Sequence, residues 1–99
     1  MQTLINEVIK WGYDKGIIEK GTTSAQADKT LEEANELAEA VQVEDWNEIK
    51  DGIGDTMVTL ILQAEMQGLD VVECLNYALA QIQGRTGYIV NGKFEKMEG

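Results

Sequence analysis

At 99 residues, with 43% of positions hydrophobic, the chain is sized for one domain spanning 1–99 and too apolar to be disordered. Eighteen acidic against eight basic residues leave a formal charge of −10, which argues against a nucleic-acid polymer as partner, since affinity there comes from Lys and Arg neutralising phosphates. Histidine is absent, which removes the usual zinc sites, His-based acid–base catalysis, Ser-His-Asp triads and the Glu-x-x-His motif of di-iron bundles.

No apolar run approaches the roughly 18 residues of a membrane span, and no secretory leader pattern is visible. The single Cys74 cannot form an internal disulfide and sits in an apolar helical stretch, where it reads as a packing residue. The expectation is a soluble, cytoplasmic protein whose chemistry must run on carboxylates, Lys, Arg, Tyr or a metal.

The dominant hydrophobic period is helical. Residues 3–19 place Leu4, Ile5, Val8, Ile9 and Trp11 on one face of a first helix that loosens near Gly12 and Gly16. After the turn at Gly21–Ser24, Thr23 or Ser24 is expected to cap a second helix, about 24–42, burying Leu31, Ala34, Leu37, Ala38 and Val41. A short connection at 43–46 offers Asp45 as cap for a third helix, about 46–67. One of its stripes is Ile49, Ile53, Met57, Leu60, Ile61 and Ala64; a second begins with Asp51 and Asp55 and continues through Val58 and Leu62. A helix apolar on two faces belongs at the centre of a bundle. Gly68 ends it and Asp70 caps a fourth helix, whose apolar face (Val71, Val72, Leu75, Ala78, Leu79, Ile82) runs to about Gln83. In the glycine-rich tail, Tyr88-Ile89-Val90 followed by Asn91-Gly92 suggests an extended segment and a turn. The fold class is therefore all-α: a four-helix bundle completed by homodimerisation, as a homodimer or a dimer of dimers, with a short irregular or extended C-terminal tail.

Five acids carry the functional signal: Glu32, Glu33 and Glu36 on the second helix, Asp51 and Asp55 on the third. Like charges at i,i+4, as in Glu32/Glu36 and Asp51/Asp55, each cost a helix roughly 0.2–0.5 kcal/mol. Glu33 and Glu36 lie about 60° apart on the wheel, at the flank beside Leu37, with Glu32 continuing the arc. An antiparallel helix pair would bring the two clusters together, and oxygen-only ligation of that kind suits Mg²⁺ or Mn²⁺. Trp11 and Trp46 are expected to pack in the core; Tyr88 is a further aromatic.

Lys29-Thr-Leu-Glu32-Glu33-Ala-Asn-Glu36-Leu, followed by Ile53-Gly54-Asp55-Thr56-Met57-Val58, resembles the all-α nucleoside triphosphate pyrophosphohydrolases of the MazG type. The ending, Arg85-Thr-Gly-Tyr88 through Asn91-Gly92-Lys93-Phe94, is similar to small single-domain MazG-like proteins often encoded by phages. The resemblance covers roughly residues 24–97. It implies hydrolysis of a nucleoside or deoxynucleoside triphosphate to the monophosphate and pyrophosphate, with Mg²⁺, by a dimer. Carried over, Glu33 and Glu36 match metal-binding and catalytic glutamates of the first motif, Glu32 leads it, and Asp55 matches the aspartate of the second. Gly52 stands where that motif has its glutamate, with Asp51 one position earlier and i−4 to Asp55. Lys29, Arg85 and Lys93 are the candidate phosphate contacts; Gln81 stands where relatives carry a lysine.

Other readings of the same residues are an acidic helical dimerisation module without activity, a sensor that binds nucleotides without turning them over, and hydrolysis of a diphosphate or modified nucleotide.

Overall fold

The computed structural model describes residues 1–97. In chain order it comprises α1 (Gln2–Asp14), α2 (Ile17–Lys20), α3 (Thr23–Gln42), α4 (Trp46–Met66), α5 (Val71–Gln83), β1 (Gly87–Val90) and β2 (Lys93–Lys96). The predicted first helix is two: Gly16, at φ 76°, takes a left-handed conformation and breaks it. Gly12 does not loosen the helix. It is buried in α1 against Leu62 and Ile18, where a Cβ would collide with both.

Each later start is set by a side-chain cap on an orphan backbone N–H. Thr22, one residue before the predicted cap, accepts from the Ala25 amide at 3.1 Å. Asp45 accepts from Glu48 (3.2 Å) and Asp70 from Val72 (2.8 Å). Asn91 and Gly92, both at positive φ (52° and 78°), form the two-residue turn of an antiparallel hairpin pairing Ile89 with Phe94. The predicted extended tail is thus a β-hairpin.

α3 and α4 are antiparallel: Gln26 and Thr30 meet Thr59 at one end of the pair, and Leu37 meets Gly52 further along. As expected, α4 is central, touching α1, α2, α3 and α5. Its neighbours bury Ile61, Leu62 and Ala64, with Ile5 of α1 completing the core. Ile53, Met57 and Leu60, read as the other part of the main stripe, face solvent.

The seam between α3 and α4 corrects the predicted core. The α3 positions turned to α4 are Gln26, Thr30, Glu33, Leu37 and Ala40, recurring every three or four residues; Leu31, Ala34, Ala38 and Val41 lie about a quarter-turn away, exposed. The polar positions win because they satisfy one another. Gln26 donates to the Thr59 carbonyl (3.0 Å), Thr30 to the Thr59 hydroxyl (2.9 Å), and that hydroxyl to the Thr56 carbonyl (2.7 Å).

No residue of α5 is buried, so Cys74, expected in the core, is exposed. Both tryptophans also correct expectation: Trp11 is half-exposed and Trp46 78% exposed. A single chain does not close the four-helix bundle. Its radius of gyration is 15.7 Å, against about 13 Å for a compact domain of this length. Its accessible surface is 7677 Å² for 11.0 kDa, about 2,000 Å² above what the scaling for compact monomers gives.

Candidate functional site

The acids of α3 and α4 converge along one edge of the helix pair. Glu33 is 9% exposed, an unusual place for a carboxylate unless it is paired. Its partner is on its own helix: the Lys29 ammonium lies 3.3 Å from an Oε1 of Glu33 and 3.3 Å from an Oε1 of Glu32. Glu32 and Glu33 hold the Lys29 pKa above its ordinary value.

The two clusters sense each other electrostatically. Repulsion from Glu33, then burial and Glu32, raises the pKa of Glu36, while Lys29 pulls it back. Asp55, half-buried on α4, is raised by burial first, then by Asp51 on its own helix and by Glu33 across the seam. Glu33 thus acts on both helices, and the Lys29 charge reaches both Glu36 and Asp55. Asp51 is exposed at the same edge. As the side chains stand, no group of three acids among the described residues is drawn onto a single metal-sized point. The site holds a cation already, the Lys29 ammonium, between two of the carboxylates.

Gly52 explains how close the helices come. A Cβ there would lie 3.2 Å from both the Cα and the Cβ of Leu37, tighter than side chains normally pack. The backbone of α3 therefore lies against the position at which the resembled motif has its glutamate.

On its other flank Asp55 borders a cleft of about 540 Å³. Leu4, Val8 and Trp11 of α1 face Met57 and Val58 of α4 across it, and Glu7 and Asp55 are its acidic lining residues. Its volume is in the range of small-molecule sites. Helical periodicity puts Leu4, Val8 and Trp11 on one face and Trp11 in the core, without showing that the face lines a cleft; the Gln26–Thr30–Thr59 seam is not read from it either, although its signal is polar residues at helical spacing.

Arg85 lies just beyond α5 and Lys93 opens β2. The hairpin packs on no other element of its chain among the described residues, and neither cation forms an ion pair there. Lys29 is at the carboxylates; Arg85 and Lys93 are not brought to those of their own chain.

A helical hairpin with acids gathered along one edge, and an apolar cleft large enough for a small molecule on the other flank of Asp55, defines an all-α acidic-site protein. Residues 22–90 match the MazG nucleotide pyrophosphohydrolase domain, and the chain belongs to that family. It is 33% identical over 72 residues to an uncharacterized 18.2 kDa protein in the rep-hol intergenic region of Haemophilus phage HP1. That match covers 73% of this chain and 44% of the phage protein, so the chain spans less than half of that relative. No solved structure matches. Among the described residues no helix is long and apolar enough to cross a membrane.

Proposed function

We propose that the protein hydrolyses a nucleoside or deoxynucleoside triphosphate between the α and β phosphates, with Mg²⁺ or Mn²⁺, as a homodimer or dimer of dimers in the cytoplasm. The observation that carries this reading is Glu33: a buried carboxylate that shares a cation with Glu32 and repels both Glu36 on its own helix and Asp55 on the next. The residues fit a hard divalent ion, because the donors are all carboxylate oxygens and a cation already stands among them. Glu33, Glu36 and Asp55 would hold the ion, with Glu32 and Asp51 completing its surroundings. When bound, Mg²⁺ supplies charge neutralisation of phosphate oxygens and acidification of a water.

The chain's own residues would do the rest. Glu36 orients the attacking water and takes its proton. The water oxygen bonds to the α-phosphorus as the α–β anhydride bond breaks, and pyrophosphate departs with the electron pair. Lys29, released from Glu32 and Glu33, neutralises the leaving phosphates. The apolar cleft beside Asp55 is placed to shelter the base and sugar. The excess accessible surface of about 2,000 Å² per chain is of the size that obligate dimers bury, and the exposed stripe Trp46, Ile53, Met57 and Leu60 supports burial against a second copy.

The test is incubation with the eight common NTPs and dNTPs, with Mg²⁺, Mn²⁺ or EDTA, with products resolved by ³¹P NMR and Glu36→Gln alongside. Metal-dependent monophosphate and pyrophosphate, absent in the variant, support the reading; equal turnover by both proteins defeats it. Gly52 favours a second reading, a nucleotide sensor, because the close contact at Leu37 leaves the site short of one carboxylate. Metal-dependent nucleotide binding without turnover would select it.

A further inference from the structure

We propose that Gly54 is kept free of a side chain for the substrate, as the seat on which the sugar of the bound nucleotide lies against the α4 backbone. The inference rests on the pyrophosphohydrolase reading for what the ligand is. That a ligand should pack closely at this point rests on the helix itself.

α4 contains two glycines, Gly52 and Gly54, and their surroundings differ. Glycine inside a helix is less favourable than alanine, because it loses more backbone freedom on folding. For Gly52 the fold compensates that loss. Gly52 is buried, and a Cβ there would press on Leu37 of α3. Gly54, two residues on, points about 200° away around the helix. It is exposed, and a Cβ built on it would meet no neighbouring atom within 4 Å among the described residues. It also lies in regular α-helix, a conformation that alanine adopts freely. Nothing in the packing of the described residues requires a glycine at 54.

The position of Gly54 supplies the reason that packing does not. Gly54, Met57, Val58 and Ile61 recur at i, i+3, i+4 and i+7, which is one helix face, and together they form the α4 wall of the 540 Å³ cleft. Gly54 leaves a gap in that wall. The gap lies at the end of the row beside Asp55, which also lines the cleft. An otherwise apolar wall is thus notched where it meets the carboxylates.

The connectivity of a nucleotide fits this notch. The α-phosphate is esterified to the 5′ oxygen of the sugar, and the base is joined to the sugar at C1′. With the phosphates at the carboxylates and the base between Trp11 of α1 and Val58 of α4, the sugar crosses the α4 wall at its acidic end. A bare backbone there lets the ring settle close to the helix and holds the α-phosphorus near Asp55. An alanine methyl would lift the ring away, and the α-phosphorus with it.

The test compares wild type with Gly54→Ala, first without ligands. The variant should melt a few degrees higher, roughly 2–8 °C, because alanine favours the helix and meets no obstacle. A lower Tm would mean that the glycine serves the fold, and would overturn the proposal. Calorimetric titration with Mn²⁺ alone should give equal affinities. A weaker Mn²⁺ affinity in the variant would place the effect at the carboxylates and overturn it too.

The deciding titration uses an α,β-methylene nucleoside triphosphate with Mg²⁺, whose bridging carbon blocks hydrolysis at that bond. Gly54→Ala should bind it about 10- to 100-fold more weakly, the scale of overpacking a filled site. Equal affinity overturns the proposal. So does a loss of affinity that comes with a changed dimer dissociation constant in sedimentation equilibrium, because the notch would then belong to a second copy. None of these readouts needs turnover. A wild type that binds the analogue but leaves ordinary triphosphates intact defeats the reaction reading, and Gly54 is still judged by the affinity ratio. A wild type that hydrolyses triphosphates while the variant binds equally well removes this inference and leaves the reaction. A wild type that binds no nucleotide overturns both.

Discussion

The α1–α4 body and the arm formed by α5 and the hairpin are built by opposite means. In the body, helices approach until glycines are needed at the contacts, with Gly12 against Leu62 and Gly52 against Leu37, and polar residues in the seam bond to one another. In the arm, local signals fix every element, through the Asp70 cap and the Asn91-Gly92 turn, yet nothing is buried. Secondary structure therefore needs only local chemistry, whereas burial needs a neighbour, which the described residues of the chain do not give the arm. The body carries the five candidate site acids; the arm carries Arg85, Lys93 and Lys96, which form no ion pair among the described residues.

The largest expected effect lies at the body's one buried acid. Glu33→Gln is predicted to reduce kcat/KM about 1,000-fold with an unchanged far-UV spectrum, and a variant retaining wild-type rates would separate the body's burial pattern from its function. Next comes the apolar face that body and arm leave open. Ile53→Asp should raise the dimer dissociation constant by at least about 100-fold, the scale of a central interface residue, measured by sedimentation equilibrium. An unchanged constant would place the interface elsewhere.

Two changes probe how tightly the body is packed. Gly52→Ala should gain roughly 1 kcal/mol of helix propensity and lose about 1–3 kcal/mol to overpacking against the Leu37 backbone. A net fall in Tm is expected, and a rise would mean that α3 yields easily there. Thr59→Val removes the hydroxyl that accepts from Thr30 and donates to the Thr56 carbonyl, and should cost about 1 kcal/mol in denaturant unfolding. The matching truncation in the arm, Leu75→Ala, should leave the unfolding of dilute monomer almost unchanged, because Leu75 is exposed.

The smallest effect is the pH dependence of the metal-free protein. Glu36 and Asp55 have raised pKa values, so the folded state binds more protons than the unfolded state between the ordinary carboxylate range and those raised values. Stability contributed by these groups is therefore greatest at low pH and declines as pH rises through the raised values. Mg²⁺ binds the ionised carboxylates, so its protective effect on Tm should grow across the same window. A protective effect that shrank as pH rose would contradict carboxylate ligation.

Much of this was legible in the sequence, for reasons that particular residues make plain. Asp45, Asp70 and Asn91-Gly92 act within a few residues of themselves, so caps and turn could be read directly. Helical spacing and one short connection put Glu33 and Asp55 on facing helices, and the two carboxylates come within electrostatic reach of each other. The α3 core face was misread because hydrophobic periodicity favoured Leu31, Ala34, Ala38 and Val41, while the seam is made of residues that are polar but mutually bonded. Cys74 and Trp46 were assigned to the core on their apolar character, which marks a preference for burial without saying whether the same chain provides it. The contact at Gly52 was invisible, because sequence shows a missing glutamate and not the Leu37 backbone that lies against it.

The most direct test of the central claim is hydrolysis in ¹⁸O-labelled water, with Mg²⁺ and the preferred triphosphate, followed by ³¹P NMR. The account predicts one ¹⁸O in the nucleoside monophosphate and unlabelled pyrophosphate, since water attacks the α-phosphorus. Label in pyrophosphate or orthophosphate, or turnover unaffected by EDTA, would contradict it.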